Sequence, residues 1–355
     1  MNLDTLRLVA HTIRPIEEID ERILHDEKLL SEAIVIARKN KVFLAFYKGL
    51  TDLHLRVPNY AMEMAEKEFK RKALYEEALA EIAEAAEREN IKFMVFKSIK
   101  PFPYVGDDID VFIPNNEDFR AFIEVLRGLG YQSLGEGPPE ETMAKRIQGF
   151  SIVIDVHRAF SASHIPYVDG ARVWRRKVKR RFNGFDIFVP SMEDEILILI
   201  GHSLLKEFKM NLAEFFNAVI LLPKVDWEKL SKLALAEKMG CALEIFMQII
   251  RHLYKTIYHK DILFPNFNVL CDSYLLKVAF KVIDDDLKDG MNMPYYYPLP
   301  LPTIAYLNKL KEGIVRGGRE SLSILSGFIK APFTSKEGVN VLWKYIINHA
   351  VQLTR

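Results

Sequence analysis

The chain contains few cysteines and no long apolar run. Cys241 and Cys271 are its two cysteines and lack CxxC spacing, so the sequence predicts neither a disulfide framework nor a zinc site. Apolar runs such as residues 196–200 are far too short to span a membrane. Residues 1–14 carry charges and have no apolar centre, which is not the pattern of a signal peptide. These absences predict a cytoplasmic protein with no membrane partner.

An excess of charge of either sign is also missing. Lys and Arg number 49 and Asp and Glu number 48, which gives a formal net charge of +1. A surface that binds nucleic acid must therefore be a local one. The length of 355 residues, with 49% hydrophobic and 27% charged residues, is typical of a globular protein of more than one domain. Charge-rich helices and four glutamines are typical of proteins from thermophilic sources.

Acidic residues interrupt two apolar runs. Asp108 and Asp110 flank Ile109, and alternate residues of a strand share a face, so the two carboxylates point the same way. Like charges on one face of a half-buried strand are costly unless a cation neutralises them. Asp155 follows a second apolar run, residues 152–154. If the two strands are neighbours, three carboxylates meet, and such oxygen-rich clusters suit Mg²⁺ or Mn²⁺ held partly by substrate phosphates.

The order of these motifs resembles the nucleotidyltransferase superfamily related to DNA polymerase β. A predicted strand at 93–96 ends in Lys97 and Ser98, nine residues follow, and then come Asp108 and Asp110. Asp155 stands at the position of the third acid on a later strand. An Asp-x-Asp alone is common in loops and at strand ends, so the third acid and the order of elements carry the interpretation.

More narrowly, the chain resembles a poorly characterised branch of minimal nucleotidyltransferases. In that branch a Lys-Gly motif precedes a Gly-Asp-Ile-Asp motif, and a Leu-Gly-Tyr helix end and an acid-x-His strand follow. The corresponding residues here are 106–110, 129–131 and 155–157. The resemblance covers roughly residues 90–220.

This resemblance implies metal-dependent transfer of an NMP from an NTP to an acceptor hydroxyl, with release of pyrophosphate. The acceptor is RNA, a protein or a small molecule. The implied two-metal site holds Mg²⁺ or Mn²⁺ on Asp108, Asp110 and Asp155, with Asp155 also able to take the acceptor proton. Lys97 and Ser98 would grip the nucleotide phosphates. His157 shares the strand face of Asp155 and fits either a nucleotide contact or a buried structural histidine.

Two departures from the superfamily pattern leave alternatives open. Lys97 stands where the first motif usually has glycine. Pro101 and Pro103 disfavour the short helix that many relatives place after Ser98. The main alternative is a non-catalytic module of the same fold that binds RNA or a protein partner. An antitoxin-like nucleotidyltransferase acting on a toxin partner is a third, which rests only on the resemblance to the minimal branch.

A basic run between residues 172 and 182 concentrates positive charge in an otherwise balanced chain. Such a run next to a catalytic sheet can hold a triphosphate or an RNA backbone, with an aromatic ring available for stacking. The opposing interpretation is the solvated face of a hairpin. The candidate contacts are Arg172, Trp174, Arg175, Arg176, Lys177 and Arg180.

Hydrophobic periodicity predicts a strand-containing segment between helical regions. The resemblance implies that the fold is α+β, with a small mixed nucleotidyltransferase sheet flanked by those helical regions. The predicted domains are a helical region at 1–90, the catalytic core at 91–190 and a helical domain at 191–355. Strands are predicted at 92–96, 109–113, 151–157 and 185–189, and helices at 60–88 and 117–129. A surface loop is predicted at 135–139, and a proline-rich extended segment at 294–302.

Overall fold

A computed structural model describes residues 2–14, 19–137, 140–162, 165–262, 264, 271, 273–288 and 292–315. The chain divides into two compact units. One unit comprises Leu8–Ala159 and Asp169–Ser191. The other comprises the described residues of Met1–Arg7, Phe160–Val168 and Met192–Arg355. The division into three domains that the sequence suggests stays a prediction.

Helices precede and follow a strand-rich middle segment in the described part of the chain. The helices are α1 Leu3–Ile13, α2 Glu21–His25, α3 Glu27–Lys39, α4 Phe43–Asp52, α5 Asn59–Arg88, α6 Asn116–Gly128, α7 Gly170–Arg175, α8 Met192–Ile200, α9 Leu212–Leu221, α10 Trp227–Ala236, α11 Gly240–Tyr258, α12 Ser273–Lys288 and α13 Pro300–Val315. The strands are β1 Met94–Phe96, β2 Ile109–Phe112, β3 Gln132–Gly137, β4 Glu140–Ile147, β5 Phe150–His157, β6 Phe160–Ala162, β7 Ile165–Val168, β8 Val178–Phe182, β9 Phe185–Val189, β10 Lys209–Met210 and β11 Tyr295–Tyr296.

A seven-stranded sheet forms the centre of the first unit, in the order β3-β4-β5-β2-β1-β9-β8. The pairs β2–β5 and β1–β9 are parallel, and the other neighbouring pairs are antiparallel. The predicted α+β class with a mixed sheet and flanking helices is therefore confirmed.

One face of this sheet is apolar and packs against α5 and α6. Ile109 and Val111 of β2 and Ile154 of β5 lie in the same buried cluster as Ile82 of α5 and Phe122 of α6. Burying such a side chain contributes about 1.5–3 kcal/mol. Because side chains alternate along a strand, this burial directs Asp110 and Asp155 to the opposite face.

Local sequence signals explain where the helices of this unit begin and end. The side chain of Asn115 accepts a hydrogen bond from the backbone N–H of Glu117 at 2.9 Å and so caps α6. Pro58 immediately precedes α5, and Asn90 adopts a φ of 56° just after it. Asparagine tolerates this left-handed conformation better than most residues, and it stops the helix.

The structure corrects the predicted loop at 135–139. Residues 135–137 belong to the edge strand β3, which pairs antiparallel with β4, and residues 138–139 lie outside the described residues. The glycines at 135 and 137 make the segment resemble a loop. Pairing to β4 supplies the hydrogen bonds that the sequence pattern does not reveal.

The structure also differs from the sequence analysis in the second unit. Helix α13 begins at Pro300, inside the segment predicted to be extended, because proline is tolerated in a first turn whose N–H groups have no helical partner. Cys241 and Cys271 form a disulfide that their spacing did not predict.

Small two-stranded sheets and helices make up that second unit. Strands β6 and β7 pair, as do β10 and β11, and a π-helical segment, Gly201–Glu207, continues α8. A Cβ on Gly201 would lie 2.2 Å from the ring of Tyr167 in β7, so the glycine allows close packing there. No described helix combines the length and apolar character needed to cross a bilayer.

A glycine-to-alanine pair tests the packing of α7 on the sheet. A Cβ at Gly170 would lie 2.6 Å from Cζ of Phe112, whose ring is fully buried and cannot move aside. We expect Gly170→Ala to lower the free energy of unfolding in urea by about 1–3 kcal/mol.

The matched control is Gly128→Ala, because nothing lies within 4 Å of a Cβ at the end of α6. It should change the free energy of unfolding by less than about 1 kcal/mol, towards greater stability. Equal losses in the two variants would contradict this account of the packing.

Candidate functional site

The parallel pairing of β2 with β5 places two acids side by side. Asp110 is the Cα partner of Asp155, and Phe112 is the partner of His157. His157 shares the strand face of Asp155, since it lies two positions further along the strand. Ligand atoms of Asp110, Asp155 and His157 all lie within 4.8 Å of one another. Three of the residues predicted from the sequence therefore converge on one point.

Asp110 is the most deeply buried member of the group, at 4% exposure. Its Oδ1 lies 2.8 Å from Nζ of Lys97 and 3.1 Å from Nε2 of His157. Burial opposes ionisation, but the charge of Lys97 and the hydrogen bond from His157 hold the pKa of Asp110 well below its usual range. Asp110 is therefore a carboxylate that two cationic groups compensate.

His157 bridges two acids through its two ring nitrogens. Nε2 faces Asp110, and Nδ1 lies 3.0 Å from Oε2 of Glu140. Burial disfavours the charged ring, but the hydrogen bonds to Asp110 and Glu140 raise the pKa of His157. The arrangement therefore stabilises an imidazolium that donates a hydrogen bond from each nitrogen.

Strand β4 supplies two residues that the sequence analysis missed. Glu140 pairs in register with His157, and Thr142 pairs with Asp155. The hydroxyl of Thr142 donates a hydrogen bond to Oδ1 of Asp155 at 2.7 Å. Glu140 and Thr142 lie two positions apart, so their side chains share a face of the strand. This spacing indicates a shared site only once β4 is known to be a strand next to β5.

Asp108 lies just before β2 and is half-buried. Burial, together with the charges of Asp110 and Asp155, raises the pKa of Asp108 to about 7, although Lys97 opposes the shift. Among the described residues, the group of close ligand atoms does not include Asp108, which the sequence predicts to be a metal ligand. Its carboxyl group is close enough to that group to interact with it electrostatically.

Residues of the N-terminal helical region hold the loop that carries Asp108. The guanidinium of Arg71 donates a hydrogen bond to the carbonyl of Gly106, and the hydroxyl of Tyr75 donates one to the carbonyl of Asp107 at 2.6 Å. Lys41 forms an ion pair of 2.7 Å with the Asp107 side chain. These contacts join residues far apart in sequence, so no local pattern reveals them.

Lys97 and Ser98 form the turn at the end of β1. Lys97 adopts a φ of 57°, the left-handed conformation that glycine takes easily and that other residues adopt at a cost. The hydroxyl of Ser98 donates to the carbonyl of Phe96 at 3.1 Å and accepts from the backbone N–H of Asp110 at 2.8 Å. Ser98 thereby joins the turn to the acidic strand, and its predicted phosphate contact stays a prediction.

A cavity of about 590 Å³ opens beside this turn. Asp108, Ser98 and Arg180 of β8 contribute to its wall. The lining is rich in aromatic and basic side chains. These are Lys48, Phe69, Lys72, Tyr75, Lys100, Phe102, Tyr104, Arg180 and Phe182.

The basic run folds as α7 followed by β8, and β8 and β9 form a hairpin at a sheet edge. The Trp174 ring contacts Phe112, with ring centroids 6.3 Å apart, and Nζ of Lys177 lies 4.2 Å from the Trp174 ring centroid. Arg172 forms an ion pair of 3.2 Å with Asp169. The ring of Trp174 is thus already covered by two neighbours.

Arg180 differs from its neighbours in β8. Lys179 and Arg181 form ion pairs of 2.8 and 3.4 Å with Asp186, whereas Arg180 lines the cavity. Of the six residues predicted to contact phosphate or nucleic acid, Arg180 is the one that lines this cavity, while Arg172, Trp174, Arg175, Arg176 and Lys177 do not.

Comparison with known proteins agrees with this geometry. Residues 105–255 match a family described as uncharacterised nucleotidyltransferase. Over these residues, the chain resembles a nucleotidyltransferase. The match confirms the resemblance predicted from the sequence, and it includes all three acids and His157, while Lys97 and Ser98 precede it. No curated protein and no solved structure matches the chain.

The raised pKa of Asp108 predicts how the stability of Asp108→Asn, relative to wild type, changes with pH when a chelator removes divalent ions. As pH rises from about 4 to about 7, the unfolded chain loses the Asp108 proton while the folded chain keeps it. The folded state therefore loses stability over this window. We expect the free energy of unfolding of Asp108→Asn, relative to wild type, to increase between pH 4 and pH 8 by on the order of 2–4 kcal/mol.

Urea denaturation at the two pH values measures this difference. Glu84→Gln, which removes an exposed carboxylate of α5, is the control and should show little change with pH. A difference between Asp108→Asn and wild type that stays constant from pH 4 to pH 8 would contradict the raised pKa.

Proposed function

We propose that this protein is a metal-dependent nucleotidyltransferase that moves an NMP from an NTP to an acceptor hydroxyl and releases pyrophosphate. The observation that carries the proposal is the register of β2 and β5, which pairs Asp110 with Asp155 and adds His157 to the same point. This pairing lies within the residues that match the nucleotidyltransferase family.

The side chains at this point fit a divalent ion. Asp110 and Asp155 offer carboxylate oxygens, which suit Mg²⁺ and Mn²⁺. His157 would add a nitrogen ligand, which favours Mn²⁺ of the two, only by releasing the proton that Nε2 donates to Asp110. Asp108 is a further carboxylate nearby. An ion bound here would supply electrophilic assistance at the phosphate and favour ionisation of the acceptor hydroxyl.

Asp155 is the residue best placed to accept the proton of the acceptor hydroxyl. Thr142 donates a hydrogen bond to Oδ1 of Asp155, which fixes the orientation of the carboxylate. Asp155 is also less buried than Asp110, which Lys97 and His157 already engage. We therefore assign Asp155 as the general base and Asp110 as an acid that helps to hold the ion.

The cavity beside Asp108 and Ser98 is the proposed nucleotide site. Aromatic side chains such as Phe69 and Tyr104 offer apolar surface for a base, and Arg180 offers a charge for a phosphate. A volume of about 590 Å³ is within the usual range for a small-molecule site. The acceptor class stays open, since RNA, a protein or a small molecule all present a hydroxyl.

The first test measures transfer of label from each α-³²P NTP, with Mn²⁺ or Mg²⁺, to the macromolecules and small molecules of a cell extract. Asp155→Asn should reduce transfer at least about 100-fold, as expected when a general base is lost. Its amide can still accept the hydrogen bond from Thr142, so the fold and the NTP affinity should change only a few-fold.

Glu84→Gln is the control for this comparison and should transfer as wild type does. A matched loss of NTP affinity and transfer in Asp155→Asn would instead identify Asp155 as a ground-state ligand. If wild type labels no acceptor with any NTP, metal or extract, the non-catalytic binding module replaces this proposal.

A second test compares neighbouring arginines of β8. Arg180→Ala removes a charge from the cavity wall, whereas Arg181→Ala removes a charge that pairs with Asp186. We expect Arg180→Ala to weaken binding of an NTP by about 10-fold or more, since hydrogen bonds between charged groups contribute about 1.5–3 kcal/mol.

Isothermal titration with a non-hydrolysable NTP analogue measures the affinity of both variants. Arg181→Ala should bind within about two-fold of wild type, because exposed ion pairs contribute little. Similar losses in the two variants would show that Arg180 acts only through the general charge of the strand.

A further inference from the structure

The ammonium group of Lys97 forms an ion pair with Asp110, the acid that also contacts His157. Nζ of Lys97 lies 2.8 Å from Oδ1 of Asp110, and the Lys97 side chain is only 17% exposed. An exposed lysine would instead extend its charge into water. The ammonium is therefore part of the site and belongs to its charge balance.

The backbone of Lys97 adopts a conformation that costs free energy for any residue other than glycine. A φ of 57° is unfavourable for a residue with a side chain, and glycine adopts it easily. Residues held in such conformations persist only where surrounding contacts compensate. The ion pair with Asp110 and the position of Nζ over the Phe96 ring are two such contacts of Lys97.

The charge of Lys97 lies next to Asp110, the acid common to both ion positions that the resemblance implies. One ion is expected on Asp108 and Asp110, and the second on Asp110 and Asp155. Lys97 acts electrostatically on both Asp108 and Asp110. A positive charge is thus already present 2.8 Å from the acid that both expected ions would share.

We propose that the ammonium of Lys97 takes the place of one divalent ion, so that this protein uses one divalent ion together with one tethered cation. This inference rests on the proposed function, because it concerns the same acidic site. It assigns Lys97 a role that the superfamily's glycine cannot have, since glycine carries no charge.

Counting bound Mn²⁺ tests the inference without any assay of activity. Loss of the free Mn²⁺ signal in electron paramagnetic resonance gives the number of ions bound per chain. Lys97→Gly removes the ammonium and suits the left-handed backbone, so it should fold. We expect it to bind one more Mn²⁺ than wild type, and Lys97→Met to gain the same ion if it folds.

Two controls separate this effect from a general loss of charge. Lys97→Arg keeps a cation at the position and should bind the same number of ions as wild type. Lys100→Met removes a lysine three residues away, whose Nζ lies 5.6 Å from the ring centroid of Tyr104, and should also match wild type.

A second readout follows from the charge balance. With a chelator present, Lys97→Gly should melt at a lower temperature than wild type, because the acids lose a compensating charge. Addition of Mn²⁺ should then raise its melting temperature by more than it raises that of wild type.

Failure of this inference is distinct from failure of the proposed function. If folded Lys97→Gly binds the same number of Mn²⁺ ions as wild type, with the same affinity, the inference is wrong even where wild type transfers label. If Lys97→Gly gains an ion while wild type transfers no label, the inference stands and the proposed function fails.

Discussion

The register between β2 and β5 is the constraint on which the site depends. The same pairing that aligns Asp110 with Asp155 buries Ile109 and Ile154 against the helices on the other face. A slip of one residue would turn the acids towards the core and the isoleucines towards the polar side. The hydrophobic effect thus sets the distance between two carboxylates that would otherwise repel each other.

Charge compensation is the second requirement, because a buried carboxylate is tolerated only with partners. Asp110 receives a cation from the end of β1 and another from β5, and Glu140 engages the far side of His157. Side chains from three strands and one turn therefore form a connected network. Such a network orients each group before any ligand binds, which reduces the reorganisation that a reaction needs.

The sequence predicts the parts of this site that alternation reveals. Asp110, Asp155 and His157 interrupt apolar runs, so both their strands and their shared face follow from spacing. Glu140 and Thr142 could not be found in this way, because the strand that carries them is only partly buried and has no apolar run to mark it as a strand. The direction of the Lys97 side chain depends on a φ of 57°, which nothing in the identity of a lysine indicates.

The contacts around Asp107 limit how short a fragment of the chain can be if it is to keep the acidic site intact. Lys41, Arg71 and Tyr75 come from the N-terminal helical region, yet they hold the loop that presents Asp108. The strands alone therefore lack the support that gives this loop its shape. A minimal fragment that keeps the acids in place must start before Lys41, and a swap of the first ninety residues between relatives would exchange part of the site with them.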